Sequence, residues 1–253
     1  AEAKELYTSN PEINISANNE HAFICACTYN SLEVAKWLLE IKPDINISAD
    51  NEYAFVMACY NGHLHIAKWL LEIKPGINIS ACNDQAFRWA CRNGQLEGAK
   101  WLLEIKPDID INTGDEYAFR WACEKGHIEI AKWLLEIKPD INISADDEYA
   151  FRYACYNGHL EVAKWLLKVK SDINISICSE YAFKQACENN HLEVAKWLLE
   201  TKPDINIIVN NNSIFYNCEL ITQQFLTHYI PHYDVCSFKT IKNIDACSGL
   251  FDL

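Results

Sequence analysis

The sequence predicts an all-α protein built as a solenoid of stacked helical repeats, and two observations carry this prediction. Tryptophan recurs at steps of 32 residues together with the sequence that flanks it, as in "HIEIAKWLLEIKPDINI" at 127–143. A fixed period of this size is typical of stacked repeats, in which no repeat buries its apolar face alone. Apolar residues make up 50% of the 253 residues, enough for a continuous core. The periodic tryptophans are Trp37, Trp69, Trp101, Trp133, Trp165 and Trp197.

The period divides the chain into six full repeats, with an incomplete or degenerate copy at each end. Residues 3–15, "AKELYTSNPEINI", align with "AKWLLEIKPDINI", so residues 1–15 are predicted to be a partial N-terminal repeat. The period is faint beyond residue 207, and residues 208–253 are predicted to be a degenerate repeat and a C-terminal cap or tail. The predicted full repeats are 16–47, 48–79, 80–111, 112–143, 144–175 and 176–207.

Each repeat opens with a first helical pattern, such as "NEYAFVMACY" at 51–60. Phe55, Ala58 and Cys59 share one face of it at the i, i+3, i+4 spacing of an amphipathic helix. The slot of Asn51 always holds a residue type that favours the N-cap position, and Glu or Asp follows it, which the helix dipole favours. We therefore expect helix caps at Asn19, Asn51, Asn83, Asp115, Asp147 and Ser179.

A second helical pattern follows "NGH" and runs through "LEVAKWLLE" or a close variant. In the second repeat we expect Lys68 to face outward, and the residues expected to face inward are Leu64, Ala67, Leu70 and Leu71. The helix is expected to end before Pro75, because proline disfavours helical geometry in the residue ahead of it. The "DINIS" words that follow predict a short extended link to the next repeat.

This second half of each repeat resembles an ankyrin repeat. The words "NGHLEVAKWLL" at 157–167 are similar to "NGHLEVVKLLL" of that family, and the likeness covers residues 3–207. The resemblance implies an ankyrin-type helical repeat solenoid of helix-turn-helix repeats that binds other proteins and is not an enzyme. Three features depart from the family: "YAFR" replaces "TPLH", Lys-Pro replaces the helix-ending glycine, and the period is 32 instead of about 33. The phrase "AKWLLEIKPDINI" also resembles ankyrin-repeat proteins of giant viruses that infect amoebae.

Six of the 12 cysteines follow the same period. Equivalent helices of neighbouring repeats pack about 8–10 Å apart, which exceeds the roughly 7 Å between Cα atoms that a disulfide can span. We therefore expect small buried thiols and an intracellular, reducing compartment, which would be the host cytoplasm if the protein is viral. The periodic cysteines are Cys27, Cys59, Cys91, Cys123, Cys155 and Cys187.

Composition and motifs exclude several classes of function. The formal net charge of -13 repels nucleic acid and anionic membrane surfaces, so neither is an expected partner. No apolar run is long enough for a membrane span, and the first residues do not form a secretory signal. The missing Met at the start suggests a fragment or a trimmed product. No phosphate loop, nucleophile elbow or paired-carboxylate pattern is present, so we expect no catalytic residue and no cofactor.

The histidines do not predict a metal site. His63 and its equivalents open the second helices and match the structural "GH" of the ankyrin family, without a Cys or carboxylate at ligand spacing. In the tail, His228, His232 and Cys236 follow an i, i+4, i+8 pattern that would gather ligands on one helical face. Pro231 interrupts that helix and no fourth ligand is evident.

The repeats themselves indicate which positions are free to bind a partner. A slot filled alike in every repeat is required for stacking, whereas a varying slot is available for another role. The varying slots are those of residues 53, 57 and 60, which point away from the buried face of the first helix. An ankyrin arrangement places them in the concave groove. Tyr, Trp, Met and Arg dominate interface hot spots, so the predicted partner-binding residues are Met57, Tyr60, Trp89, Arg92, Trp121, Glu124, Tyr153 and Tyr156.

The alternative is that these side chains fill the space between adjacent first helices. We expect this packing role for the tyrosines that recur, namely Tyr53, Tyr117, Tyr149 and Tyr181. A row of cations lies nearby, and each cation follows an acid by four residues. We therefore expect i, i+4 ion pairs, and no basic track for phosphate, at Arg88, Arg120, Arg152 and Lys184.

Three hypotheses about function remain open. The first is a monomeric, non-enzymatic scaffold that binds a partner protein or peptide in its concave groove. The second is a substrate-recruiting adaptor, for example of a ubiquitin ligase, that docks through residues 231–253. The third comes from the resemblance, because ankyrin repeats can be hydroxylated on the link asparagine. That slot holds Asn46, Asn78, Asn142, Asn174 and Asn206, with Asp110 as the exception.

Overall fold

A computed structural model describes residues 2–10 and 12–205, and these residues form helices and turns without a strand. The all-α prediction is therefore confirmed. The helices are α1 (Glu2–Ser9), α2 (Ala17–Thr28), α3 (Leu32–Ile41), α4 (Ala49–Tyr60), α5 (Leu64–Ile73), α6 (Ala81–Arg92), α7 (Leu96–Ile105), α8 (Thr113–Glu124), α9 (Ile128–Ile137), α10 (Ala145–Tyr156), α11 (Leu160–Val169), α12 (Ile177–Glu188) and α13 (Leu192–Thr201).

From α2 onward the helices alternate between two lengths. The first helices of the repeats, α2 to α12 with even numbers, have 12 residues, and the second helices that follow them have 10. The chain divides into two compact units, namely Ala1–Ala154 with His159–Ile173, and Cys155–Gly158 with Asn174–Leu253. In the first compact unit α2, α4, α6 and α8 pack in sequence, and each packs on the second helix that follows it. In the second compact unit α12 packs on α13.

A left-handed turn opens each first helix, and it overturns the predicted capping. Asp50, Asn51 and Glu52 have φ values of 55°, 57° and 65°, and the same three slots have positive φ in every other first helix. Asn51 is therefore inside the turn, and the N-cap residue is Ser48, whose side chain makes no capping hydrogen bond. The prediction was wrong because Asn and Asp are favoured both as caps and in left-handed conformations.

The acidic residue that ends this turn binds the link that follows its own helix pair, so it joins the start of a repeat to the end of the same repeat. The Glu116 side chain is buried, and its Oε1 accepts a hydrogen bond from the backbone N–H of Asn142 at 3.2 Å. We call this contact the link clasp. The sequence predicts that this acid serves the helix dipole and an ion pair, whereas in the structure it binds the backbone of the link at the end of its own repeat. The same clasp joins Glu20 to Asn46 and Glu52 to Asn78.

The inward-facing residues of the first helices form the core together with the repeated tryptophans. Phe55, Ala58 and Cys59 are buried, as predicted. The Phe55 ring lies 6.3 Å from the ring of Trp101, which belongs to the next repeat. The phrase around each tryptophan is therefore a stacking surface. Equivalent ring pairs within the first compact unit are Phe23 with Trp69, Phe87 with Trp133 and Phe119 with Trp165.

The periodic cysteines are buried, and none of them forms a disulfide within the described residues, which confirms the structural part of that prediction. Burial raises the pKa of Cys27 to about 12. The thiols of Cys59, Cys91 and Cys123 are likewise held protonated by burial, which raises their pKa. A protonated, enclosed thiol is a poor nucleophile, so these side chains act as small apolar groups in the core.

Several predictions lie outside the described residues. These are the degenerate repeat and cap at 208–253, the docking segment at 231–253, the group of His228, His232 and Cys236, and the link residue Asn206. The exact repeat boundaries stay a prediction from the sequence.

Candidate partner-binding surface

Seven of the eight predicted partner-binding residues belong to the first compact unit, where they lie on four consecutive first helices. All seven side chains are half-buried. Tyr156 belongs to the second compact unit and is also half-buried. We call the seven residues the first-helix stripe: Met57, Tyr60, Trp89, Arg92, Trp121, Glu124 and Tyr153.

Aromatic rings of the stripe pack on one another and on the recurring tyrosines. Trp121 stacks on Tyr117 one helical turn before it, with ring centroids 4.7 Å apart, and Tyr153 stacks on Tyr149 at 4.1 Å. These pairs are at the i, i+4 spacing that brings side chains together on a helix surface. Tyr60 meets Trp89 of the next first helix edge to face at 5.6 Å. The contacts of Tyr117 and Tyr149 agree with the expected packing role of these tyrosines.

The arginines of the protein are confined to this region. The sequence contains four arginines among 22 basic residues, and they occupy the consecutive first helices α6, α8 and α10. Each guanidinium carbon lies 4.7–5.7 Å from the centre of a Tyr or Trp ring. At this separation a cation is attracted by the face of an aromatic ring. The four residues are Arg88, Arg92, Arg120 and Arg152.

Arg120 is a structural residue. It is buried, with its guanidinium between the rings of Tyr117 and Tyr149. It donates to the Asp146 carboxylate and to the backbone carbonyl of Gly114. The predicted pair with Glu116 is wrong, because that carboxylate is used by the link clasp.

Arg88 and Arg152 stabilise the left-handed turns. Arg88 donates from Nε to the carbonyl of Asn83 at 2.8 Å and from Nη2 to the carbonyl of Cys82 at 2.8 Å. Arg152 bonds in the same way to the two equivalent carbonyls of its own turn. The predicted pair of Arg88 with Asp84 is wrong, because Asp84 accepts a hydrogen bond from the Ser80 hydroxyl instead. The turn exposes two carbonyls that the planar guanidinium fits, and the helix cap expected at this position does not predict these contacts.

Arg92 and Glu124 occupy the same slot on adjacent first helices but differ in how they are used. The Arg92 guanidinium lies 5.1 Å from the centre of the Trp121 ring, and it forms no hydrogen bond or ion pair within the described ranges. Glu124 accepts a hydrogen bond from the Tyr149 hydroxyl at 2.6 Å and pairs with Lys125 at 3.0 Å. Burial and this hydrogen bond raise the pKa of Tyr149, so its hydroxyl stays a donor.

Two cavities open at the N-terminal end of the first compact unit. Met57 lines a small one of about 240 Å³ together with His21 and Cys25, whose Nε2 and Sγ atoms are 3.3 Å apart. A larger, mostly apolar cavity of about 350 Å³ lies beside α1, and Tyr29 and Trp37 contribute to its wall. The sequence held a signal for it, because Tyr29 takes a slot that later repeats fill with Asn or Lys.

The histidines that open the second helices have a structural role where the contact is described. His63 Nε2 lies 3.1 Å from the backbone carbonyl of Thr28 in the preceding repeat. In the part of the chain that the structure describes, no group of three or more His, Cys, Asp and Glu side chains is placed to hold a metal ion. None of the described helices is both long enough and apolar enough to cross a membrane.

Each repeat pairs a 12-residue helix with a 10-residue helix, and ring contacts join one repeat to the next. These features define a helical-repeat protein. A family model described as ankyrin repeats (three copies) matches residues 23–115, 87–177 and 119–211. The chain therefore belongs to the ankyrin-repeat family, whose members are generally protein–protein interaction modules and typically not enzymes.

A solved structure supports the same fold. The crystal structure of the human ASB11 ankyrin repeat domain matches 82% of this chain and 96% of its own, with a TM-score of 0.56 and 20% identity. At this level of identity the likeness establishes the fold alone. A search of curated protein sequences returns no significant match to the chain.

Proposed function

We propose that this protein is a non-enzymatic scaffold that binds a segment of a partner protein on the first-helix stripe. One observation carries the proposal: the stripe varies from repeat to repeat in residue type, while the buried face of the same helices stays nearly constant. The stripe is rich in Trp, Tyr and Arg, the residue types that dominate interface hot spots. Tyr156 stays a predicted binding residue from the sequence.

The contacts within the stripe favour binding at low entropic cost. Trp121 and Tyr153 are stacked on neighbouring tyrosines, and Trp89 is held against Tyr60. Side chains that are already ordered lose little rotamer freedom when a partner arrives, and about 0.5–1.5 kcal/mol is saved for each one. These rings can fill the space between first helices and also bind a partner, because packing leaves each ring partly accessible.

The test replaces Trp89, Trp121 and Tyr153 together by alanine and measures which proteins the full chain captures, with mass spectrometry as the readout. We expect specific partners to be lost. A matched control replaces three exposed aliphatic side chains on second helices, Ile105, Ile137 and Val169, by alanine. Equal capture by a triple stripe variant that keeps its helical circular dichroism would refute the assignment of the stripe.

The likeness to ankyrin-repeat proteins of giant viruses is the basis for a narrower proposal, in which the partner is a host protein of the cytoplasm. An adaptor role through residues 231–253 is a separate proposal that depends on residues outside the described ranges. Capture experiments with the deletion of that segment distinguish the two, because an adaptor would lose one partner and keep another.

A further inference from the structure

Arg92 differs in use from every other arginine of the protein. Arg120 is bound to Asp146, while Arg88 and Arg152 are bound to carbonyls of left-handed turns. Among the described residues the half-buried Arg92 side chain has no hydrogen bond or ion pair, and its guanidinium carbon lies 5.1 Å from the centre of the Trp121 ring. Its N–H donors are therefore available to a partner.

The choice of arginine at this slot is informative. Elsewhere the chain uses lysine for exposed ion pairs, as in Lys100 with Glu97 and Lys132 with Glu129 on the second helices. Lysine presents a point charge, whereas the guanidinium presents a rigid fork that matches the two oxygens of a carboxylate. In the other five repeats the slot of Arg92 holds Thr, Tyr or Glu, so stacking of repeats does not require a cation there.

The surroundings of Arg92 fit a single negative charge. The neighbouring cation Lys125 is paired with Glu124, so it does not add a second free charge to the site. Arginine binds either group through two parallel hydrogen bonds, but one guanidinium balances the single charge of a carboxylate and leaves part of the charge of a phosphate dianion unbalanced. The net charge of -13 opposes an acidic partner at long range, but salt screens such repulsion beyond about 8 Å.

Apolar surface lies on both sides of the guanidinium. Trp89 precedes Arg92 by three residues on α6, and Trp121 lies beneath it on α8. Both tryptophans are half-buried and keep accessible ring surface. An occupant that covers these rings must be apolar next to its charge.

We infer that Arg92 anchors a carboxylate side chain of the partner, so that the stripe binds a peptide segment with Asp or Glu beside an aliphatic or aromatic residue. This inference rests on the proposed function and names the chemistry of the partner. Trp121 acts as the positioning residue, since its ring lies 5.1 Å from the guanidinium carbon.

The test selects random peptides displayed on phage against the full chain, against Arg92→Gln and against Lys100→Gln. The last variant makes the same change of charge on a second helix, away from the stripe. Peptides selected on the parent and on Lys100→Gln are expected to be enriched in an acid next to an apolar residue. Selection on Arg92→Gln is expected to keep the apolar residue and lose the acid.

A selected peptide is then synthesised with Glu, Gln or phosphoserine at the acidic position, and binding is measured by fluorescence anisotropy. For the parent, the change from Glu to Gln is expected to weaken binding at least about tenfold, as for loss of a charge-assisted hydrogen bond. For Arg92→Gln the two peptides are expected to bind alike, and Arg92→Lys is expected to restore only part of the difference.

Other outcomes overturn the inference in distinguishable ways. If the selected peptides are apolar without an acid and do not bind Trp89→Ala, the carboxylate anchor is refuted and the proposed function stands. If the selected peptides bind Trp89→Ala and Arg92→Gln as well as they bind the parent, both the carboxylate anchor and the proposed function are refuted. Tighter binding of the phosphoserine peptide than of the Glu peptide would assign the site to phosphate.

Discussion

Replacement of Glu116 tests how the start of a repeat is held to the link at its end. Its side chain is buried, with a residue exposure of 7%, and Oε1 accepts the N–H of Asn142 at 3.2 Å. The other oxygen, Oε2, has no hydrogen-bond partner among the described residues. Burial raises the pKa of Glu116 and outweighs the hydrogen bond from Asn142, which lowers it.

These contacts give different expectations for three substitutions. Glu116→Ala removes the acceptor and is expected to lower the free energy of unfolding by about 1–3 kcal/mol. Glu116→Gln keeps an oxygen for Asn142 and removes a buried charge, so it is expected to stay within about 1 kcal/mol of the parent. Glu116→Asp shortens the side chain and is expected to behave like the alanine variant, since Asp84 in the same slot bonds to Ser80 and not to a link amide.

The pH dependence separates charge from hydrogen bonding. A carboxyl whose pKa is raised on folding favours its protonated form in the folded state. The resulting penalty is present in full above the folded-state pKa, and it is relieved as pH falls through that pKa towards the ordinary value. The parent should therefore gain stability relative to Glu116→Gln, which does not titrate, when the pH is lowered.

The assay is urea unfolding followed by circular dichroism at neutral and acidic pH. Glu129→Gln is the matched control, because Glu129 is exposed on a second helix and pairs only with Lys132 in the described contacts. A Glu116→Gln variant as unstable as Glu116→Ala at both pH values would refute the reasoning, since the amide oxygen would then not serve as the acceptor.

Three further predictions concern the core and the tail. Alkylation of the native protein with peptide mapping should modify the exposed Cys82 and leave Cys91 untouched until unfolding, because burial raises the pKa of Cys91 and excludes the reagent. Trp133→Ala should cost about 3 kcal/mol in urea unfolding through loss of the contact with Phe87 in the preceding repeat; an unchanged midpoint would contradict the stacking role. Deletion of residues 231–253 should lower solubility and thermal stability if the tail covers the last repeat, and a variant of unchanged stability that loses one partner would favour the adaptor instead.

The periodic pattern was sufficient to predict the helices and their buried face. Phe55, Ala58 and Cys59 are buried because an amphipathic spacing leaves one apolar side for each helix to hide. The second helix of the same repeat ends at Ile73, close to the stop expected before Pro75. Local rules of spacing and proline geometry decide these features, and they are present in the sequence of a single repeat.

The start of the first helix was not predictable in the same way. Asn51 followed by Glu52 satisfies the rule for a helix cap, and it equally suits a left-handed turn. The choice between them depends on contacts with other parts of the chain, such as the hydrogen bond from Asn78 to Glu52. The partner of Glu52 is 26 residues away, so no local signal could identify it.

The sequence predicted which residues share the first-helix stripe, but it did not predict the hydrogen bonds and ion pairs of the arginines around it. The variation between repeats places Trp89, Arg92 and Trp121 on one stripe, and the structure finds them half-buried there. The predicted partners of Arg88 and Arg120 are wrong, because the i, i+4 rule considers one helix at a time. Their actual partners include carbonyls of the left-handed turn and a carboxylate on the next first helix.

The sequence by itself determined the repeat period, the helix pairs, the buried apolar face of the first helices and the family, because each follows from spacing that recurs every 32 residues. Only the tertiary structure decided the left-handed turns, the link clasp and the state of Arg92, whose guanidinium has no hydrogen bond or ion pair among the described residues. These features depend on which groups distant in the chain meet in space, and the free energy of a hydrogen bond or ion pair belongs to the pair of groups and not to either residue alone.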